Sequence, residues 1–454
     1  VTADRTSILT AAAIGAPWLA ALGIAAVRRH TRTIGFAASL AAAAASAILL
    51  HAAPQRESLD EALMLLFACL TAGATLVIPR RDCSPRTMGG ILFLLGSTLL
   101  AYSTDHLLVL LAGWTLSTIP FLTERWCGAA SWRPRVGLAA SSLALAAAIA
   151  VIASAGQPLT VAALRGSNPG GMVVFALLAG AVILRKGIFP LHAWVADAAE
   201  GGPTIPTALL LNGHFGALLV AKVIGPVFPH IARDFFPVLS TLALITALYT
   251  AIRALGENSP RRLLALIALS QSACILAGLE SRTAEGVTGA LVHWVVVTTS
   301  TMGLFGVLRL LEVRFGENLS ASRHLGLSEH APRLAVFFIV FGLALVGLPG
   351  TLSFCSQDLL IHGTLASHPL TGLLLPIATA MNAVSIFRLF ARLFLGKRRT
   401  GFTVPADALL RERWILTAGV LFVVAGGVYP DAIVVLRPAL GSEVQATLSA
   451  WVAR

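Results

Sequence analysis

Lysine is the residue through which this chain could move protons. Of its 33 basic residues, only Lys186, Lys222 and Lys397 are lysines. The first two lie inside apolar runs. A buried lysine can give up its proton, whereas arginine effectively cannot. Lys186 stands in Leu184-Arg185-Lys186-Gly187-Ile188-Phe189-Pro190-Leu191-His192-Ala193-Trp194. Gly187 and Pro190 should break the helix there, freeing backbone groups that water or side chains must satisfy. An ionisable group beside a discontinuous helix is the usual build of a membrane ion site. The competing reading is a lysine that snorkels to the cytoplasmic interface; the adjacent break and His192 favour the first. Lys222 lies closer to the outer end of its run and is open to the same two readings.

Other polar groups fall in apolar runs. His214, preceded by Asn212 and Gly213, is either a proton relay, since imidazole titrates near neutrality, or a hydrogen-bonded packing residue. His293 is followed by Thr298-Thr299-Ser300-Thr301, and Ser270-Gln271-Ser272 is of similar character. Such hydroxyls and amides line a wet path or bond one helix to another. Ser356-Gln357-Asp358 follows Gly347-Leu348-Pro349-Gly350, a second expected break with a carboxylate nearby. The five cysteines show no CxxC and no ligand spacing, so they read as buried free thiols with no metal site. His324, Glu329 and His330 read as solvated loop groups. There is no GxxxxGK[ST] loop, no Ser/His/Asp set and no cofactor loop, so no self-contained active site or cofactor is expected. Energy must come from a gradient or a partner.

The elements that must hold these residues are transmembrane helices. The 454 residues are 57% hydrophobic and 12% charged, with a mean hydropathy of +0.83. An ordinary soluble domain is about a quarter charged. Fourteen apolar runs suit crossing a bilayer, near 7–27, 34–53, 60–79, 88–103, 106–123, 136–155, 171–189, 204–226, 236–254, 262–279, 287–310, 333–353, 369–395 and 411–430. The first run lacks a basic leader and is read as a retained anchor. The net charge of +12 sits mostly in alternate loops, which argues for topology and against nucleic-acid binding. One set of loops carries Arg28, Arg29 and Arg32; Arg80, Arg81 and Arg86; Arg125, Arg133 and Arg135; Arg253, Arg261 and Arg262; Arg309, Arg314, Arg323 and Arg333; and Lys397, Arg398 and Arg399. The opposite loops carry acids such as Glu57, Asp60, Glu61, Glu280 and Glu285. The positive-inside rule puts the first set in the cytoplasm and both termini outside. The two expected breaks lie five spans apart, and an odd offset reverses orientation. That suggests two inverted five-helix repeats, residues 88–226 and 236–395, between an N-terminal three-helix segment 1–87 and a C-terminal helix and tail 396–454.

At this point the motifs resemble those of a known family. Phe189-Pro190-Leu191-His192-Ala193-Trp194-Val195-Ala196-Asp197-Ala198 and Gly202-Pro203-Thr204-Ile205-Pro206-Thr207-Ala208-Leu209 resemble a stretch of the antiporter-like membrane subunits of respiratory complex I, Mrp cation/proton antiporters and membrane-bound hydrogenases. Arg261-Arg262-Leu263-Leu264-Ala265 with Ser270-Gln271, Gly347 to Gly350 with Ser356 to Leu360, and Gly427-Val428-Tyr429-Pro430 resemble later segments, in order. The resemblance implies broken seventh and twelfth helices and a mid-membrane row of ionisable groups. Lys186 falls on the seventh-helix lysine, His293 on an eleventh-helix histidine, and Asp358 on the aspartate after the twelfth-helix break. The departures are specific. Thr115 follows Trp114 where the family has glutamate, and Thr301 and Gln357 replace charged positions. Gly216 falls near an eighth-helix lysine of some members, with His214 a candidate substitute. The Trp114-Thr115-Leu116-Ser117-Thr118 segment looks more like the branch that serves bacterial inorganic-carbon uptake complexes beside a zinc, carbonic-anhydrase-like partner.

The sequence therefore points to an all-α polytopic protein of a bacterial inner membrane. It is expected to conduct protons or Na+ through Lys186, His192, His214, Lys222, His293 and Asp358, lined by Thr115, Ser270, Gln271, Thr298, Thr301 and Gln357. Its expected partners are the lipid bilayer and at least one further subunit, a redox arm or the zinc protein. The competing expectations are a non-conducting membrane scaffold and a lone transporter of a small solute.

Overall fold

The computed structural model describes residues 3–52, 59–128, 132–316, 319–397 and 407–430. The chain forms a helical bundle, and β structure among the described residues is one bridge between His106 and Thr160. The helices of five residues or more are α1 (Ala3–Val27), α2 (Thr31–Ala52), α3 (Leu59–Val77), α4 (Pro85–Tyr102), α5 (Leu107–Thr118), α6 (Arg133–Ser154), α7 (Gly171–Lys186), α8 (Ala193–Gly201), α9 (Thr204–Asn212) and α10 (Phe215–Leu219). A π-helical turn, Val220–Ile224, follows α10. Then come α11 (Pro229–Gly256), α12 (Pro260–Glu280), α13 (Ala284–Phe315), α14 (Pro332–Leu345), α15 (Leu352–Ser367), α16 (Pro369–Phe394) and α17 (Leu410–Val428). Each expected apolar run carries helix. Nine of the described helical segments are long and apolar enough to cross a membrane, and the α5 and α14 regions are shorter apolar helices.

Burial sorts the helices into a centre and a rim. Every residue of α12 from Leu263 to Glu280 is buried, as is most of α13. A helix that is apolar all round belongs inside a bundle. α11 and α16 pack along α12, and α15 packs along α13. The rim helices turn large apolar side chains outward, such as Leu19, Leu143 and Leu370. In water that surface would be a liability; in lipid it costs nothing.

The breaks differ from the sequence reading in three ways. The seventh run ends at Lys186, not 189: Gly187 takes φ +69°, and the chain restarts as α8. The twelfth run stops at Leu345, and residues 352–367, expected as a connection, form α15. The eighth run, expected to be continuous, is broken where His214 adopts φ +42° between α9 and α10. At the breaks in the seventh and eighth runs a freed backbone group finds a side-chain partner, as a membrane interior requires. Phe189 N–H donates to Thr246 Oγ1 at 2.9 Å, and the Gly213 carbonyl accepts from Tyr102 Oη at 2.6 Å. The cysteines are free, but only Cys127 and Cys274 are buried. His330 is buried, not solvated. Glu57, Arg398, Arg399 and both termini, whose orientation the loop charges address, lie outside the described residues.

One end of the bundle is tied by an arginine–carboxylate cluster. Glu312, 2% exposed, accepts from Arg261 Nε at 2.6 Å and from Arg309 Nη1 at 2.9 Å. Arg309 also grips Asp82 through two bonds of 2.7 and 2.8 Å. Arg261 reaches the carbonyl of Gly202 at 3.2 Å, so the cluster also clamps the turn between α8 and α9. Removing one partner of a buried pair leaves the other charge uncompensated. Glu312→Gln is expected to cost about 3 kcal/mol, read as a lowered thermal midpoint of the protein in mild detergent.

Candidate ion pathway

Lys186 is the last residue of α7, 6% exposed, and its stem lies across α10. Gly216 makes this possible: a Cβ there would stand 2.3 Å from Lys186 Cγ. The space beside Gly216 is filled by the lysine of another helix. Lys186 Nζ is 3.0 Å from His214 Nδ1 and bonds to Ser272 Oγ on α12. Ser272 Oγ is also 3.2 Å from His214 Nδ1, which closes a triangle. No carboxylate takes part, so the ammonium has only neutral partners among the described residues. His214 Nε2 is buried without a protein partner. A cavity of about 30 Å³ lies against Lys186, Asn212, His214 and Ser272. That space holds about one water, which is what unpartnered polar atoms there require.

A second polar cluster sits beside the first. Gln271, next to Ser272 and about 100° round α12 from it, accepts from His293 Nε2 at 3.1 Å through Oε1 if that nitrogen carries the proton. His293 Nδ1 then faces Ser356 Oγ on α15 at 3.1 Å. Ser270 takes a 2.8 Å bond from Asn382 on α16, and Thr301 donates to Asn212 at 2.8 Å. Thr298 Oγ1 and Asn382 Oδ1 are buried and have no protein partner. The row therefore runs from the end of α7 through the α9–α10 break and α12 to α13 and α15.

Five of the expected residues lie off this row. Asp358 is on α15, but its side chain is 60% exposed and pairs only with His362 at 3.5 Å. The reason is helical phase. Ser353, Ser356 and Leu360 face inward, and two residues from Ser356 turn the chain by about 200°. Gln357 is partly buried and bonds back to Ser353 Oγ at 3.2 Å. His192 stacks on Phe189 at 5.7 Å and meets the edge of Tyr249 at 4.8 Å, out of the Lys186 triangle. Lys222, in the π turn, pairs with Asp60, lies 3.6 Å from Asp105 and donates to the Tyr102 carbonyl at 3.0 Å, so neither snorkelling nor a place beside Lys186 describes it. Thr115 is half-buried, and its carbonyl accepts from Thr118.

Sequence reasoning overlooked Arg185. It is 6% exposed, bonds to Ser117 Oγ at 2.7 Å and lies 5.4 Å from the Trp114 ring and 4.8 Å from the Phe215 ring. Two aromatic faces and a hydroxyl hold this guanidinium where no acid does. Its signal was in plain view, a charge inside an apolar run, but an argument based on titration passes over arginine. Among the described residues, no group of three His, Cys, Asp or Glu side chains could hold a metal ion.

An all-helical, multi-pass bundle with interrupted helices around a buried polar row that includes a lysine defines a class of membrane proteins. Residues 100–382 match the family model for the transmembrane part of the NADH:quinone oxidoreductase and Mrp antiporters, and the chain belongs to that family. It is similar to NADH-quinone oxidoreductase subunit M of Mycobacterium tuberculosis, 30% identical over 284 residues, covering 61% of this chain and 50% of that protein. It is also similar to NADH-quinone oxidoreductase subunit N 3 of Streptomyces griseus, 31% identical over 220 residues, covering 46% of this chain and 39% of that one. The chain thus spans about half the length, or less, of these curated relatives. Its fold is that of a chain of respiratory complex I from Thermus thermophilus, with a TM-score of 0.84, 22% identity and coverage of 98% and 99% of the two chains. A chain of the Mrp complex from Dietzia sp. gives 0.84, with 18% identity and coverage of 97% and 99%.

The left-handed backbone at His214 gives a test of the break. Glycine adopts φ +42° freely, whereas alanine is strained there. His214→Gly is expected to be about 1 kcal/mol more stable than His214→Ala, measured by thermal unfolding in detergent, although both lose the ring beside Lys186.

Proposed function

We propose that the chain is an antiporter-like subunit that conducts protons, or Na+, within a multisubunit energy-coupling complex of the bacterial plasma membrane, and that the ion path runs through Lys186. The observation that carries this reading is an ammonium group inside the bundle whose partners are neutral, at a helix break and beside a water-sized cavity. A charge in hydrocarbon costs at least several kcal/mol unless it faces protein or water. A lysine, unlike the neighbouring Arg185, can meet that cost by releasing its proton. On this reading His214 and Ser272 exchange protons with Lys186, and Gln271, His293 and Ser356 extend the path toward α15. Thr298 and Thr301 line it. The interruptions of the seventh and twelfth runs support two inverted units, 88–226 and 236–395.

The partner is a further subunit. The similarity to NADH-quinone oxidoreductase subunits favours a redox arm. Thr115 in place of the family's glutamate favours instead the carbon-uptake branch with a zinc protein partner. Purifying the complex in mild detergent and identifying the co-eluting chain separates the two: a flavin or iron–sulfur protein means redox, a zinc protein carbon uptake.

Two substitutions separate conduction from a scaffold role. Lys186→Ala removes the titrating group; Lys186→Arg keeps a positive charge that cannot leave. In proteoliposomes holding the purified complex, both are expected to lower proton flux to that of empty liposomes while assembly persists. Wild-type flux in either variant would make this chain a scaffold.

A further inference from the structure

Glu280 closes α12 and is 2% exposed, yet nothing in the ion row uses it. Its Oε2 has no hydrogen-bond partner, and no ion pair reaches it among the described residues. It stands eight residues after Ser272, with Leu276 midway, so the three share one face of α12. The rise from Ser272 to Glu280 is about 12 Å. That face looks toward α7 and the π turn. A second small cavity, of about 10 Å³, lies there between Ala179, Val182, Val220, Ile224, Leu276 and Glu280. Glu280 is the one titratable group among its described lining residues. Val182 is one turn from Lys186 on α7, so the stripe of α7 that ends in Lys186 also borders this cavity. Beyond Glu280, Arg282, Arg233 and Asp234 lie within electrostatic reach of one another near the chain's turn between α12 and α13.

We propose that Glu280 is a proton-exchange site on a branch that joins the Lys186 triangle to the opposite membrane face from the Glu312 cluster. The inference rests on proton conduction through Lys186. A proton leaves the Lys186 ammonium through water in the cavity beside it, crosses the α7–α12 seam on water, and adds to the Glu280 carboxylate. Release to the aqueous side restores the carboxylate, and a proton from the other face restores the ammonium. An unpartnered buried carboxylate otherwise costs stability with no return. Val182, Leu276 and Val220 make the seam dry at rest, so the branch opens only when water enters it.

The test uses the purified complex in proteoliposomes, with a hydrophobic carbodiimide as probe of protonated carboxyls in apolar surroundings. Peptide mass spectrometry is expected to find the label on Glu280, and labelling to stop proton flux. Glu280→Gln is expected to bring flux to background, and Glu280→Asp to retain a measurable part of it, which shows that the fold tolerates change at the site. Wild-type flux in Glu280→Gln with none in Lys186→Arg would overturn the Glu280 branch alone. An unlabelled Glu280 in conducting wild type would overturn it too. No flux in wild type would overturn both the branch and the conduction reading.

Discussion

The structure turns on one bond set, the Lys186 ammonium held between His214 Nδ1 and Ser272 Oγ inside the bundle. Three helix systems have to meet for it to exist. α7 must stop at Lys186, which Gly187 enforces with its left-handed backbone. The eighth run must break so that His214 turns toward α7, and Gly216 must stay small so that the lysine stem can pass. α12 must present Ser272 from a wholly buried helix. Each condition has a local cost: positive φ at Gly187 and His214, freed carbonyls, buried polar atoms. These costs are met by specific partners, Tyr102 for Gly213 and Thr246 for Phe189.

The charged clusters do a different job. Glu312 with Arg261 and Arg309, and Lys222 with Asp60, pair opposite charges and tie helices that the breaks would otherwise leave loose. Pairing stabilises but does not invite protons to move, since removing one member strands the other. Among the described residues Lys186 and Arg185 have no acid partner, and they are held by neutral groups and aromatic faces. Of these two cations only lysine can release a proton. The imidazole of His214 and the hydroxyl of Ser272 are the partners the structure gives Lys186.

Much of this was legible in the residues. Apolar runs located the helices because a bilayer demands length and continuity. Gly187 with Pro190, and Gly347 with Pro349, located two breaks because those residues cannot continue a helix. The third break was hidden: a histidine carries no helix-breaking signal, and its ring, at the left-handed residue, meets Lys186 and Trp294. Lys186, His214, His293, Ser270, Gln271 and Thr301 were legible as polar groups in apolar runs, and the structure gives each a buried partner. The exposure of Asp358 was not legible because position in a motif does not set helical phase; its neighbour Ser356 takes the inward face. The pairing of Lys222 was not legible because its partner Asp60 lies on α3, far away in sequence.

The central claim is that water reaches a lysine which the protein encloses. With only three lysines in the chain, lysine-selective nitrogen-15 labelling and solid-state NMR in lipid bilayers resolve each side chain, and Lys186→Arg assigns the signal in question. The account predicts that the Lys186 side-chain signal exchanges with water protons in spite of its burial. A Lys186 signal with no transfer from water, among dry packed neighbours, would contradict it.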